Sequence, residues 1–190
     1  MTLIEQLSAK RSALYERWLD RIISSYPPDT ATFLRRERNQ FANPVGQTFA
    51  EQVRVLIDLL LDDAGAEAMR PPLETIAKIR AVQDFTPGRA MAFVFELKQA
   101  IRELVKNTLT DAAGYSELLA LEARVDLMAL VAFDALAMCR ERIYEIRISE
   151  IKRQVASVLK RTKFFSMSDE TELDAHAGPA AQASSDEGPI

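Results

Sequence analysis

Side chains able to do chemistry are scarce in this chain, which has a single histidine, His176, and a single cysteine, Cys139, among its 190 residues. His176 lies in a stretch of Ala, Ser, Gly, Pro and acidic residues that gives nothing to fix its tautomer, so it is a poor base or ligand. Cys139, between Met138 and Arg140, reads as a small buried apolar residue, with a thiol activated by the neighbouring arginines as the alternative. One cysteine forms no internal disulfide, and the chain has neither four Cys/His ligands for structural zinc nor the paired Glu-x-x-His of a di-iron bundle. No protein-held metal and no cofactor is expected.

Two carboxylate pairs stand one helical turn apart, Asp58 with Asp62 and Glu122 with Asp126. Such pairs can hold a hard cation or divide acid and base roles, but on helices they are usually solvated faces. No glycine-rich phosphate loop, no G-x-S-x-G elbow and no H-E-x-x-H occurs, so the chain is expected not to be an enzyme.

Charge narrows the partners. The net charge of −4 hides a polarity, because the six acids from Asp169 to Glu187 leave residues 1–168 with 24 basic against 22 acidic side chains. A body so near neutrality lacks the broad basic surface of a nucleic-acid binder. The apolar runs are broken by charge, as Asp58 breaks Val55–Leu61, well short of the roughly 18 residues of a membrane span. The opening MTLIEQLSAKRS has no apolar signal core, and a cytoplasmic location is expected.

The elements that must position these side chains read as helices throughout. Leu3, Leu7, Leu14, Trp18 and Ile22 recur at helical intervals up to Pro27-Pro28. A short second helix runs from Asp29 and Thr30 to about Arg38, with Phe33 and Leu34 as its buried contacts. Asn43-Pro44 pairs an N-cap with proline at the first helical position and opens a third helix to about Asp63, burying Phe49, Val53, Leu56 and Leu60. Pro71-Pro72 opens a helix carrying Leu73, Ile76, Ile79 and Val82, and Thr86-Pro87 opens another over about 87–111. In that last helix Met91–Phe95 is apolar on every side, the pattern of a central helix.

From Tyr115 no proline or glycine appears before Gly178, and the pattern persists to about Lys163, a rod of roughly 70 Å. Its first half, with Leu118, Leu121, Val125, Leu127, Met128, Leu130, Val131, Phe133 and Leu136, is rich enough for a core. From about residue 140 it is expected to protrude. There Tyr144, Ile148, Ile151, Val155, Val158, Thr162 and Phe165 follow coiled-coil steps of four and three, forming a seam that either meets a second copy or packs back on its own domain. The same stretch is basic, with eight Lys and Arg from Arg140 to Lys163. The expected organisation is a helical domain over 1–163, its last helix over about 115–163, and a disordered acidic tail over 168–190.

Three polar features sit beside apolar runs: Arg35–Arg38 before Phe41; Asn43-Pro44-Val45-Gly46; and Arg80-Ala81-Val82-Gln83-Asp84-Phe85. Caps, turns and ion pairs account for them, or they line one pocket or partner surface. Tyr26-Pro27-Pro28-Asp29-Thr30 running to Phe41-Ala42-Asn43-Pro44-Val45-Gly46, then Ile79–Pro87 leading to Phe93-Val94-Phe95, resembles the N-terminal domain of RsbT co-antagonist proteins of the RsbRD type, over roughly residues 1–160. The resemblance implies an all-α, globin-like bundle of about six helices without haem, a sensory input to bacterial stress-signalling assemblies, and a long final helix that leads to an output domain and supports dimer contacts. Complete co-antagonists carry a C-terminal STAS domain, whereas this chain ends in an acidic stretch, so the sensory or scaffolding half is what carries over. The family positions are Tyr26, Phe41, Asn43, Pro44, Gly46, Arg80, Gln83, Asp84, Phe93 and Phe95.

The resulting expectation is a cytoplasmic sensor or adaptor acting through a signalling protein partner and a homodimer seam at Tyr144, Ile148, Ile151, Val155 and Val158, with room for a small apolar ligand between Met91–Phe95 and Val125–Phe133. Two alternatives stand beside it. The helix Lys152–Phe165, basic and apolar at once, could lie on an anionic membrane. A haem- or ligand-binding globin-like sensor is the other; it would need an axial ligand other than histidine, which leaves Cys139.

Overall fold

The computed structural model describes residues 2–175 apart from 38 and 40, with side chains up to residue 160. Among the described residues the fold is all-α, with seven α-helices, one short 3-10 turn and no strand. The chain divides into two units, 1–143 and 144–190.

The first expected helix is two. Helix α1 (Leu3–Ala9) starts at a capping box in which Thr2 Oγ1 accepts from the Glu5 amide and Glu5 returns the bond to the Thr2 amide. At Lys10 the backbone leaves the helical region, and α2 (Arg11–Ser24) restarts at once. Lys10 Nζ donates to the Leu104 carbonyl at 2.9 Å, satisfying one of the last free acceptors of a distant helix. The Leu3 amide donates to Glu117 Oε2 at 2.6 Å, which ties the start of α1 to the start of the last helix.

Helix α2 buries Leu14, Trp18 and Ile22, four residues apart on one face. Helix α3 (Pro28–Arg36) spans too few turns to bury more than one edge, so Ala31 and Leu34 face inward. Phe33, expected to be buried, falls on the other side and is 49% exposed. Helix α4 (Pro44–Leu61) supplies Phe49, Val53, Leu56, Ile57 and Leu60 to the core. After the 3-10 turn Ala66–Met69 comes α5 (Arg70–Ala81), then α6 (Pro87–Val105), shorter than expected. The main packing pairs are α2 with α6, α4 with α5, and α2 with α4.

Helix α6 is not enclosed on all sides. Met91, Phe93 and Val94 are buried, but Phe95 is 49% exposed with Lys98 Nζ 6.0 Å from its ring centroid. Helix α7 (Ala112–Ala175) begins earlier than expected and is described beyond residue 163; residues 176–190 of the expected disordered tail lie outside the described residues. Within the first unit, Leu118, Leu121, Val125, Met128, Ala132 and Leu136 face the core. Leu127, Leu130 and Phe133, read as core from their apolarity, point to solvent instead and are 53–64% exposed. Apolarity says that a side chain gains from cover, not that its own domain supplies it.

Candidate functional site

The most unusual side chain of the first unit is Arg80, on the last turn of α5, which is 1% exposed. A buried cation normally needs a carboxylate, because desolvation penalises the charged form by several kcal/mol. Arg80 forms no ion pair among the described residues. Its Cζ instead stands 5.5 Å from the ring centroid of Tyr26, 5.7 Å from Phe49, 5.2 Å from Phe85 and 5.2 Å from Phe93. Ring quadrupoles attract a desolvated cation, by about 2 kcal/mol in favourable cases. Burial lowers the Arg80 pKa, and the positive charge of Arg89 lowers it further. Arginine nevertheless stays charged.

Four elements build this cage. Tyr26 follows α2 in the turn before Pro27-Pro28, Phe49 comes from α4, Phe85 from the loop between α5 and α6, and Phe93 from α6. The rings hold each other as well as the guanidinium: Tyr26 meets Phe85 edge-on at 5.5 Å and Phe49 at 6.0 Å. Phe93 stacks on Trp18 at 6.3 Å, and Trp18 Nε1 donates to the Phe93 carbonyl at 2.7 Å. The Tyr26 hydroxyl donates to Gln83 Oε1 at 2.9 Å; burial raises its pKa, opposed by Arg80 and by the Gln83 bond.

Of Arg80's donors, Nη2 reaches Ser25 Oγ at 3.2 Å, while Nε and Nη1 are buried without a hydrogen-bond partner. Arg89 Nη2 donates to the carbonyl of the same Ser25 at 2.9 Å, and its Cζ lies 5.0 Å from the Phe85 ring centroid. Arg140 Nη2 donates to the Phe85 carbonyl at 2.6 Å.

Asn43 is a second buried polar side chain, 1% exposed, and all its work is structural. Its Oδ1 accepts from the Gly46 amide at 2.8 Å, capping α4, while Nδ2 donates to the carbonyls of Leu34 at 3.1 Å and Glu37 at 2.9 Å, closing the end of α3. A Cβ on residue 46 would stand 2.3–2.8 Å from the Asn43 side chain, which explains the glycine. Pro44 occupies the first turn of α4.

The ten family positions thus separate. Tyr26, Arg80, Gln83 and Phe93 converge on the cage; Asn43, Pro44 and Gly46 form the α3–α4 clamp. Phe41 (97% exposed), Asp84 and Phe95 join neither and face solvent. Sequence reasoning missed Ser25, Arg89 and Arg140 as neighbours of the cage and placed Phe49 and Trp18 only in the core. Chain-local spacing holds no signal for such long-range neighbours; of the cage residues outside the ten family positions, Phe85 alone was inside a quoted motif.

The other sequence candidates lie elsewhere. Asp58 and Asp62 face Arg11 at 2.8 and 3.9 Å, Glu122 takes a bidentate pair from Arg102 at 2.6 and 2.7 Å, and Asp126 meets Lys98 at 2.6 Å. Cys139 lines a groove of about 370 Å³ between α5 and α7 with Lys78, Val82 and Met138. Burial raises its thiol pKa. The shift opposes both the activated thiol and the thiolate an axial haem ligand requires. Met91, Phe93, Val94, Val125, Met128 and Val131, named for an apolar ligand, are buried members of the core. In the second unit, Tyr144, Ile148, Ile151, Val155 and Val158 are 51–61% exposed, and Thr162 and Phe165 lie outside the described side chains.

Among the described residues no helix is long and apolar enough to cross a membrane. A family model described as the RsbT co-antagonist protein rsbRD N-terminal domain matches residues 12–151, a span that contains the whole cage, the clamp and part of the seam. No curated protein and no solved structure matches the chain.

Proposed function

Since the chain belongs to the RsbT co-antagonist protein rsbRD N-terminal domain family, we propose that it is a non-catalytic, cytoplasmic sensory or adaptor domain of stress signalling, which passes its state to a protein partner through self-association of α7. The observation that carries this reading is the apolar face Tyr144, Ile148, Ile151, Val155 and Val158, each more than half exposed and spaced in steps of four and three. Such a row is the a/d pattern of a helix that meets another helix. Burying one Ile or Val of this kind against a partner contributes about 1.5–3 kcal/mol at full burial, and four such residues with Tyr144 from each chain set that gain against the cost of association. A signal then acts by favouring one helix arrangement over another, and it shifts the balance only by its difference in affinity for the two.

Sedimentation of the full chain tests the reading. A dimer that persists at high salt and becomes a monomer in Ile151→Asp supports it; a monomer at high protein concentration removes it. The second reading, attachment to an anionic membrane, draws on exposed Leu159 on the same helix as the exposed Lys152, Arg153 and Lys160. It forecasts the opposite salt response, liposome binding that vanishes at moderate ionic strength.

A further inference from the structure

Three arginines, Arg80 of α5, Arg89 of α6 and Arg140 of α7, converge on Phe85, and none of them forms an ion pair among the described residues. Arg80 and Arg89 bond to the side chain and the carbonyl of one residue, Ser25, and stand over one ring, Phe85, at 5.2 and 5.0 Å; Arg140 holds the Phe85 carbonyl. Elsewhere in the unit Arg21, Arg35, Arg102 and Arg124 each face a carboxylate. Asp84, exposed in the same loop, pairs with none of the three among the described residues.

The junction also contains the amino end of α6, a helix of 19 residues, where the macrodipole adds positive potential. Thr86 Oγ1 accepts from the Arg89 amide at 3.4 Å, and a Cβ at Gly88 would meet nothing within 4 Å, so there is space at Gly88 on this turn. Arg80, which shares Ser25 and Phe85 with Arg89, keeps Nε and Nη1 buried and without partners. Arginines without a paired carboxylate among the described residues, beside a helix amino terminus, are an arrangement that binds anions.

We propose that Arg89 and Arg140, with the amino end of α6 and the uncompensated charge of Arg80, form a binding site for an oxyanion, the carboxylate or phosphate group of a small ligand. Arg89 and Arg140, which are not fully buried, contact the anion. Arg80 acts through its field and through Ser25 and Phe85, which it shares with Arg89. The site lies within the first unit, and it gives the sensory reading above a ligand class. Its test is independent of that reading, because an absent anion site leaves the α7 seam unaffected.

The experiment titrates the full chain with inorganic phosphate and, separately, with succinate, each against sodium chloride of equal ionic strength, and follows thermal unfolding. A Tm rise of roughly 5–10 °C at a hundredfold excess over Kd is expected from at least one of them. Response to phosphate alone assigns a phosphoryl ligand and response to succinate alone an organic acid. Arg89→Met with Arg140→Met removes the response, and Arg80→Met weakens binding several-fold. In the unaltered protein, the effective anion protects Arg89 and Arg140 from phenylglyoxal, read by mass spectrometry, which keeps the test valid should the double variant fail to fold. No shift beyond that of chloride, or a response undiminished in a folded double variant, overturns the proposal.

Discussion

Tyr26 and Gln83, 57 residues apart in sequence, share a hydrogen bond of 2.9 Å in which the phenol donates to the amide oxygen. The bond joins the turn after α2 to the loop after α5, and it orients the ring whose face Arg80 occupies. Tyr26→Phe keeps the ring and deletes the donor. We expect a loss of about 1 kcal/mol in urea unfolding, against about 3–5 kcal/mol for Tyr26→Ala, which opens the cage. Equal losses in the two variants would show that the hydroxyl, not the ring, is the main contribution.

The same tyrosine sets an alkaline limit. Burial raises its folded pKa above the ordinary 10.0, so between those two values the folded chain holds a proton that the unfolded chain has released. Stability is therefore full below pH 10 and falls as pH rises through the folded pKa. Unfolding followed from pH 8 to 11 should show this decline in the unaltered protein and a flatter profile in Tyr26→Phe.

Arg80→Met exchanges a buried cation with one of its three nitrogens hydrogen-bonded for an apolar side chain of similar length. Because desolvation of an unpaired charge outweighs what rings return, the variant is expected to unfold at equal or higher denaturant concentration, by up to about 1–4 kcal/mol. A large destabilisation would mean that the four rings hold the guanidinium more strongly than cation–π magnitudes allow.

At the α3–α4 clamp the forecast has the opposite sign. Asn43→Ala removes one cap and two carbonyl partners at a buried position, for an expected loss of about 2–4 kcal/mol. Gly46→Ala drives a methyl into that same amide and should give a comparable loss. Their double variant should lose less than the sum, because both disturb one contact.

Local chemistry made much of the helical frame legible. Asn43-Pro44 and Thr86-Pro87 start helices where they stand because their side-chain oxygens accept from amides two residues past the proline or so. The break at Lys10 carries no proline or glycine, since its stabilising partner is a carbonyl 94 residues away. The cage was visible only as separate parts: Arg80 and Gln83 read as cap, turn or ion-pair residues or as lining a pocket or partner surface, Phe49 as core. That four rings close around one guanidinium is a property of helices crossing, which no spacing along the chain encodes. Phe33, Phe95 and Leu130 show the converse, apolar side chains that their own domain leaves in water.

The bond from the Leu3 amide to Glu117 makes the beginning of the chain a neighbour of the beginning of α7. Thr2, which caps α1, is thus one residue from a side chain near the root of the longest helix. Glu117→Gln, which weakens the acceptor of the Leu3 amide, couples a change in the longest helix to the cap at the far end of the sequence.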